Sequence, residues 1–292
     1  MKRVAVIADI HGNTRAFDAV VDDIERQGVD EVLVAGDLVG RGPFGGAIVE
    51  RVLARGWRAL RGNHEDYLLN FRRQTVPARW MVTEEWAASR WMAAELDDAH
   101  VDYLDTLPMT MTSSTDPRLR LVHGSPAGYN DGLGPWNTDA ELEGHLAAFE
   151  ETVLVCAHTH RPMVRELPGG LVVNVGSVGL PFNGDWRAQY GIFTRRADRW
   201  EVDLRQVPYD REGFLGDFVD CGFLAEGRIT AALLMREVEW ARPWLVPFLK
   251  WASVIGEEPG EGLLESFGEI YHPSMPMATF FAMLDELAAR ER

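Results

Sequence analysis

"VAVIADIHGN", residues 4–13, decides how the rest of this 292-residue chain is read. Its apolar run has the composition of a buried strand, and it breaks into Asp9 and His11 just before an amphipathic, helix-length stretch at 14–27. The same order recurs twice. "DEVLVAGD" (30–37) precedes 44–55, and "GWRALRGN" (56–63) precedes 64–73. Short apolar runs alternating with amphipathic stretches imply βαβ units, an α/β chain whose sheet packs between helices. A helical insert is expected at about 83–105. Further strands are expected at "RLRLVHG" (118–124), "ETVLVCAH" (151–158), "GLVVNVG" (170–176), "AQYGIFTR" (188–195) and "RWEVDLRQV" (199–207).

From 208 the texture changes to helices rich in Leu, Trp, Phe and Met, interrupted by "GEEPGEG" (256–262) and "YHPSMP" (271–276). Two units are therefore expected: residues 1–207, and a helical C-terminal extension at 208–292 serving as a cap or as the interface of a homo-oligomer. The longest apolar stretch of the extension, from Leu233 to Ile255, carries Arg236, Glu237, Glu239, Arg242 and Lys250. It reads as one amphipathic helix, not a membrane span. The basic and apolar start "MKRVAVIADIHGN" is too short in its apolar part for a secretory leader and runs into acidic and histidine residues. Cys156 and Cys221 make no framework of bridges, so a reducing, cytoplasmic setting is expected. A net charge of −16 argues against a broad surface for long nucleic acid, whose binding leans on Lys and Arg neutralising phosphates. It leaves room for a small anionic substrate, because a metal pair with a few arginines makes one pocket positive on an acidic protein.

The polar residues are not scattered. Apolar runs end in Asp9 and His11, in Asp37, in Asn63 and His64, in His123, and in His158 and His160, so five of the eight histidines sit at strand ends. In an open α/β sheet, ligands bind beyond the carboxyl ends of the strands. Side chains two apart on extended backbone point to the same side, so Asp9 with His11, and His158 with His160, are expected to aim together. Imidazoles, carboxylates and a carboxamide without thiolate suit Mn, Fe, Zn, Ni or Co. Seven donors are too many for one ion, but two ions sharing a bridging carboxylate would use them all.

The blocks "DIHGN", "GDLVGRGP", "RGNHE", "VHGSP" and "AHTHRP" resemble the signature of the calcineurin-like metallophosphoesterases. "NVGSVGLPFNGD" is similar to a stretch found in their prokaryotic small-phosphodiesterase branch, with Val175 standing where that pattern usually has proline. The resemblance covers about residues 2–195. It implies a four-layer α/β/β/α sandwich and a catalytic domain in 1–207. It also implies a first divalent metal on Asp9, His11 and His160, a second on Asn63, His123 and His158, and Asp37 bridging them, with manganese favoured. A metal-bridging hydroxide would then attack a small, activated or nucleotide-derived phosphodiester.

His64, next to Asn63 but not counted as a ligand, is the candidate general acid for the leaving alkoxide. Arg41 resembles the position where related phosphatases place an arginine against substrate phosphate. Asn13 is expected to hydrogen-bond the Asp37 region or the substrate. Gly12, Gly36, Gly62 and Gly124 are expected to turn the backbone sharply, whereas His100, His145 and His272 are read as surface or packing residues. A phosphomonoesterase of the protein-phosphatase or dinucleoside-polyphosphatase type shares this site chemistry, and a catalytically silent scaffold shares the fold.

Overall fold

Strand β1 (Lys2–Ile7) turns Ala5 and Ile7 toward one apolar cluster and Val4 and Val6 toward another. Successive strand side chains point to opposite faces, so β1 must be covered on both sides. The structure is a computed structural model describing residues 2–197, 199–272 and 274–290. In it β1 lies at the centre of a five-stranded sheet with β2 (Glu31–Val34), β3 (Arg58–Ala59), β9 (Ala188–Arg196) and β10 (Arg199–Val207), in the order β10-β9-β1-β2-β3. The first three strands run parallel, β9 is antiparallel to β1, and β10 to β9.

A second five-stranded sheet contains β4 (Thr110–Thr112), β5 (Leu119–Val122), β6 (Val153–Cys156), β7 (Met163–Leu167) and β8 (Gly170–Asn174), in the order β4-β5-β6-β8-β7. Here β5, β6 and β8 are parallel, and the two edge strands are antiparallel to their neighbours. The sheets face each other across one apolar layer: Val4, Val6 and Leu33 with Phe193 from the first, and Leu119, Leu121, Val153, Val155 and Val173 from the second.

Helices cover the outer faces. Over the first sheet lie α1 (Thr14–Gln27), α2 (Gly45–Ala54), α3 (Asn63–Arg72), α4 (Ala87–Ala94) and α5 (Asp98–Thr106), while α6 (Asp139–Leu146) packs Leu142 and Leu146 against Leu154 and Cys156 of the second. The architecture is the expected α/β/β/α sandwich. Among the described residues no helix is long and apolar enough to cross a membrane, and Cys156 and Cys221 are both unbridged.

The C-terminal part is helical: α7 (Arg211–Asp220), α8 (Phe223–Trp240, broken at Arg228 with φ 53° and ψ −144°), α9 (Leu245–Val254), α10 (Leu264–Ile270) and α11 (Met277–Arg290). Phe214, Phe218, Phe223 and Leu234 of α7 and α8 join the same apolar cluster as α1 to α5. The last three helices build a separate cluster around Phe248, Phe267 and Phe280, joined to α8 through Ile229 and Leu233. The stretch 233–255, read as one helix, is two. Helix α8 ends at Ala241 with φ 49° and ψ 44°, and Pro243, which lacks an N–H and restricts the residue before it, prevents continuation into α9.

Strands β4 and β7 and helix α6 were absent from the sequence expectation. The two strands are edges, one only three residues long and the other alternating buried with exposed positions, so their pairing depends on the neighbouring strand more than on their own composition.

Candidate metal centre

The parallel strands of both sheets end at one shared rim, and the loops that follow them are tied together by backbone. Asp9 N donates to Gly36 O at 3.1 Å, and Ile10 N and His11 N donate to Asp37 O at 2.8 and 3.0 Å. Asp9, His11, Asp37, His158 and His160 all have φ between 51° and 63°. Convergence of the two i, i+2 pairs therefore comes from left-handed turns past the strand ends, not from extended strand as the sequence suggested. Each such residue costs about 1 kcal/mol relative to ordinary backbone and persists where its surroundings over-determine it.

Glycines make room for this folding-in, not always by turning. Gly62 has extended backbone (φ −100°, ψ −176°), and a Cβ there would run into the Asp37 carboxylate. Gly40 does take positive φ (80°), and a Cβ on it would lie 2.8 Å from His64 Cβ.

Two groups of ligand atoms result, each lying within 4.8 Å of one another: Asp9, His11, Asp37 and His160, and then Asp37, His123 and His158. Asp37 belongs to both. Asn63 joins the second group, with Oδ1 3.1 Å from His123 Nε2 and 2.9 Å from His158 Nδ1. In the first group the inward-facing imidazole nitrogens are left without protons to share. His11 Nδ1 lies 3.2 Å from Val39 O and His160 Nδ1 2.5 Å from Leu180 O, which assigns a proton to each of those nitrogens. The two Nε2 lone pairs then face each other at 3.1 Å. Asp9 Oδ1 is buried with no hydrogen-bond partner. Facing acceptors and an orphaned carboxylate oxygen are what a cation would relieve, so these residues fit a metal pair.

Electrostatics points the same way. Burial holds His11 at about 3 and His158 at about 4, and keeps His160 well below its ordinary value, so these imidazoles are neutral and able to ligate. Burial alone would also discharge His123, but Asp37 and Asp9 outweigh it and push His123 up to about 10. Burial resists ionisation of Asp37 too, yet His123 and His64 hold it well below the carboxylate range. Asp9, raised by burial and by Asp37 and only partly offset by His123, goes the other way.

Several supporting residues carried no assignment from sequence. Glu65, in the first turn of α3, is fully buried and accepts from the backbone amides of Leu38 (2.7 Å), Gly62 (2.7 Å), Asp37 (3.0 Å) and Val39 (3.4 Å). The available signal was its place three residues after the helix cap at Gly62, where a Glu reaches back to the cap N–H. Asn174 Nδ2 donates to Ala157 O at 2.8 Å and Thr159 Oγ1 at 2.9 Å, and Ser177 Oγ donates to Asp9 O at 2.8 Å. Both brace the ligand loops. The ring of Phe182 stacks on His160 with centroids 4.5 Å apart.

Asn13 does not face Asp37. Its Oδ1 caps α1 by accepting from Ala16 N at 3.0 Å, its Nδ2 donates to Gly179 O at 3.0 Å, and the carboxamide also bonds the Tyr209 hydroxyl. His64 stands beside the donors, its ring 5.0 Å from that of His11, and Arg41 Nε donates to His64 Nε2 at 3.1 Å. His100 is buried at the start of α5, where its Nδ1 accepts from Asp97 N at 3.2 Å, and His272 bonds Ser274 on an exposed turn.

Residues 1–198 match the family model described as the calcineurin-like phosphoesterase superfamily domain. The chain belongs to the calcineurin-like phosphoesterase superfamily. A metallophosphoesterase from Sphaerobacter thermophilus superposes on this superfamily member with a TM-score of 0.67 at 26% identity, covering 82% of this chain and 99% of the other. A hypothetical protein from Pyrococcus horikoshii OT3 gives a TM-score of 0.69 at 21% identity, covering 83% and 100% of the two chains. An uncharacterized protein of Methanocaldococcus jannaschii is 25% identical over 225 residues, 71% of this chain and 88% of its own length.

Two predictions follow from the geometry of this calcineurin-like site. Glu65→Ala strands four backbone amides, and urea denaturation should show a loss of about 3 kcal/mol or more. Metal must displace the proton that Asp37 and Asp9 hold on His123, so apparent affinity for Mn should rise by about tenfold per pH unit from 7 to 9 for each proton displaced. Calorimetry in buffers of different ionisation enthalpy reads that proton directly; binding without proton release would contradict the assignment.

Proposed function

We propose that the chain is a dinuclear-metal-dependent phosphodiesterase that hydrolyses small phosphodiesters, nucleotide-derived ones among them. The observation carrying this reading is Asp37, one carboxylate common to two donor groups, with Asp9, His11 and His160 on one side and Asn63, His123 and His158 on the other. When bound, a divalent pair, with Mn favoured, supplies Lewis acidity toward phosphoryl oxygen and activates water at neutral pH.

The protein residues do the rest. Asp9 and Asp37 balance cationic charge in a buried setting. Arg41 spends Nε on His64 and Nη1 on Glu237, and the remaining edge of its planar fork suits a phosphate oxygen. His64 acts as the acid for the leaving alkoxide. In the structure its surroundings depress its basicity and its Nε2 accepts from Arg41. A phosphate that draws Arg41 off this nitrogen would free it to take up a proton from water and pass that proton to the leaving alkoxide. The C-terminal helices cap one side of this site through Glu237 on α8, and we place the enzyme in a reducing cytoplasm.

The test is metal analysis followed by a panel of monoesters, linear diesters, 2′,3′- and 3′,5′-cyclic nucleotides and dinucleoside polyphosphates with Mn added. The highest kcat/KM is expected on a diester. Preference for a monoester would move the reading to a phosphomonoesterase, which the Arg41 fork also suits. Bound metal with no turnover of any phosphoester would make the chain a scaffold. His64→Ala should keep its metal and lose at least about tenfold more rate on alkyl diesters than on nitrophenyl ones, whose leaving group scarcely needs a proton. Equal losses would remove His64 from the acid role. Asp37→Asn should lower metal stoichiometry at both positions, read by elemental analysis.

A further inference from the structure

Glu237 lies outside the residues that match the superfamily, yet its carboxylate pairs with Arg41, which hydrogen-bonds His64 beside the metal centre. It projects from α8 and is fully buried. Its Oε1 accepts from Trp244 N at 2.8 Å and Leu245 N at 3.0 Å, where α9 begins, and its Oε2 accepts from Arg41 Nη1 at 2.7 Å. Arg41 in turn donates to His64 and holds its guanidinium carbon 5.8 Å from the Phe182 ring, which stacks on His160. A buried carboxylate is stable only when paired and hydrogen-bonded, and here three donors meet that demand.

Charge is the consequence that matters for substrate. A phosphodiester brings one negative charge to the rim, whereas a phosphomonoester above its second ionisation, near 6, brings almost two. An unpaired guanidinium would reward the second charge. An arginine already neutralised by a buried carboxylate offers hydrogen bonds with little net charge, so it holds either ester by geometry and gives the dianion no premium.

We propose that Glu237 is a specificity-determining residue which, acting through Arg41, biases the site toward singly charged phosphodiesters over doubly charged phosphomonoesters. The inference rests on the reading of the site as a phosphoesterase with Arg41 against the phosphate. It also gives the C-terminal helices a part in catalytic selectivity, because the deciding carboxylate is carried on α8 and fastened to the start of α9.

The experiment compares the full chain with its Glu237→Gln variant at pH 8 with Mn, on p-nitrophenyl phosphate and bis-p-nitrophenyl phosphate. Glutamine keeps an oxygen for the Trp244 and Leu245 amides but turns an NH2 donor toward Arg41 Nη1, so it removes the charge and the hydrogen bond to Arg41 together. The monoester-to-diester ratio of kcat/KM should rise by about tenfold, chiefly through a lower KM for the monoester, with metal content unchanged. In an Arg41→Ala background the same substitution should move the ratio no further. A merely structural role would depress both substrates together and leave the ratio where it was, and that result overturns the proposal.

The wild-type ratio tests the diesterase reading separately, because the inference concerns only the change in ratio. Arg41→Ala without effect on either substrate would remove Arg41 from the phosphate and the inference with it. If Glu237→Gln does not fold, Glu237→Asp withdraws the carboxylate from Arg41 by one methylene. It should shift the ratio in the same direction by less; an unchanged ratio there is equally fatal.

Discussion

Two imidazole lone pairs held 3.1 Å apart repel unless something positive lies between them. His11 and His160 meet in that way, Nε2 to Nε2, because their other ring nitrogens are committed to the carbonyls of Val39 and Leu180. Around them Asp9 Oδ1 has no donor and the backbone takes five left-handed turns at ligand positions. None of this by itself stabilises the fold. It is intelligible as a preorganised cage, in which the stability of the sandwich offsets local repulsion and strain so that cations meet donors already in place.

The sandwich offsets them by making the rim stiff. Both sheets contribute parallel strands whose carboxyl ends lie side by side, and the apolar layer between the sheets fixes how those ends meet. Glu65 then binds the loop after β2 to the start of α3 through four backbone amides. Asn174 and Ser177 do the equivalent for the loops that carry His158 and Asp9.

Beyond the matched superfamily region, the C-terminal helices are not a detached addition. Helices α7 and α8 share the apolar cluster that covers the first sheet, and this packing gives α8 a defined position relative to the rim. Only on such a rigid mount can a buried side chain like Glu237 be set within 2.7 Å of an arginine nearly two hundred residues earlier in the chain. Under the role proposed for Glu237, selectivity among phosphoesters is a property of how the appendage docks.

Much of this was legible in the chain. The alternation of strand and helix, and the placing of Asp9, His11, Asp37, Asn63, His123, His158 and His160 at strand ends, are local features. Burial periodicity and donor chemistry express them residue by residue. Glu65 and Asn13 were harder to place, because a buried carboxylate or amide that binds backbone resembles one that binds a ligand until its partners are known. Sequence pattern and residue type by themselves determined an α/β chain and the kind of chemistry available, whereas the two-sheet sandwich was implied only by resemblance to the superfamily. Tertiary structure alone decided that left-handed turns aim the donors at one rim and that Glu237 answers Arg41, because each depends on atoms brought together across long separations by packing.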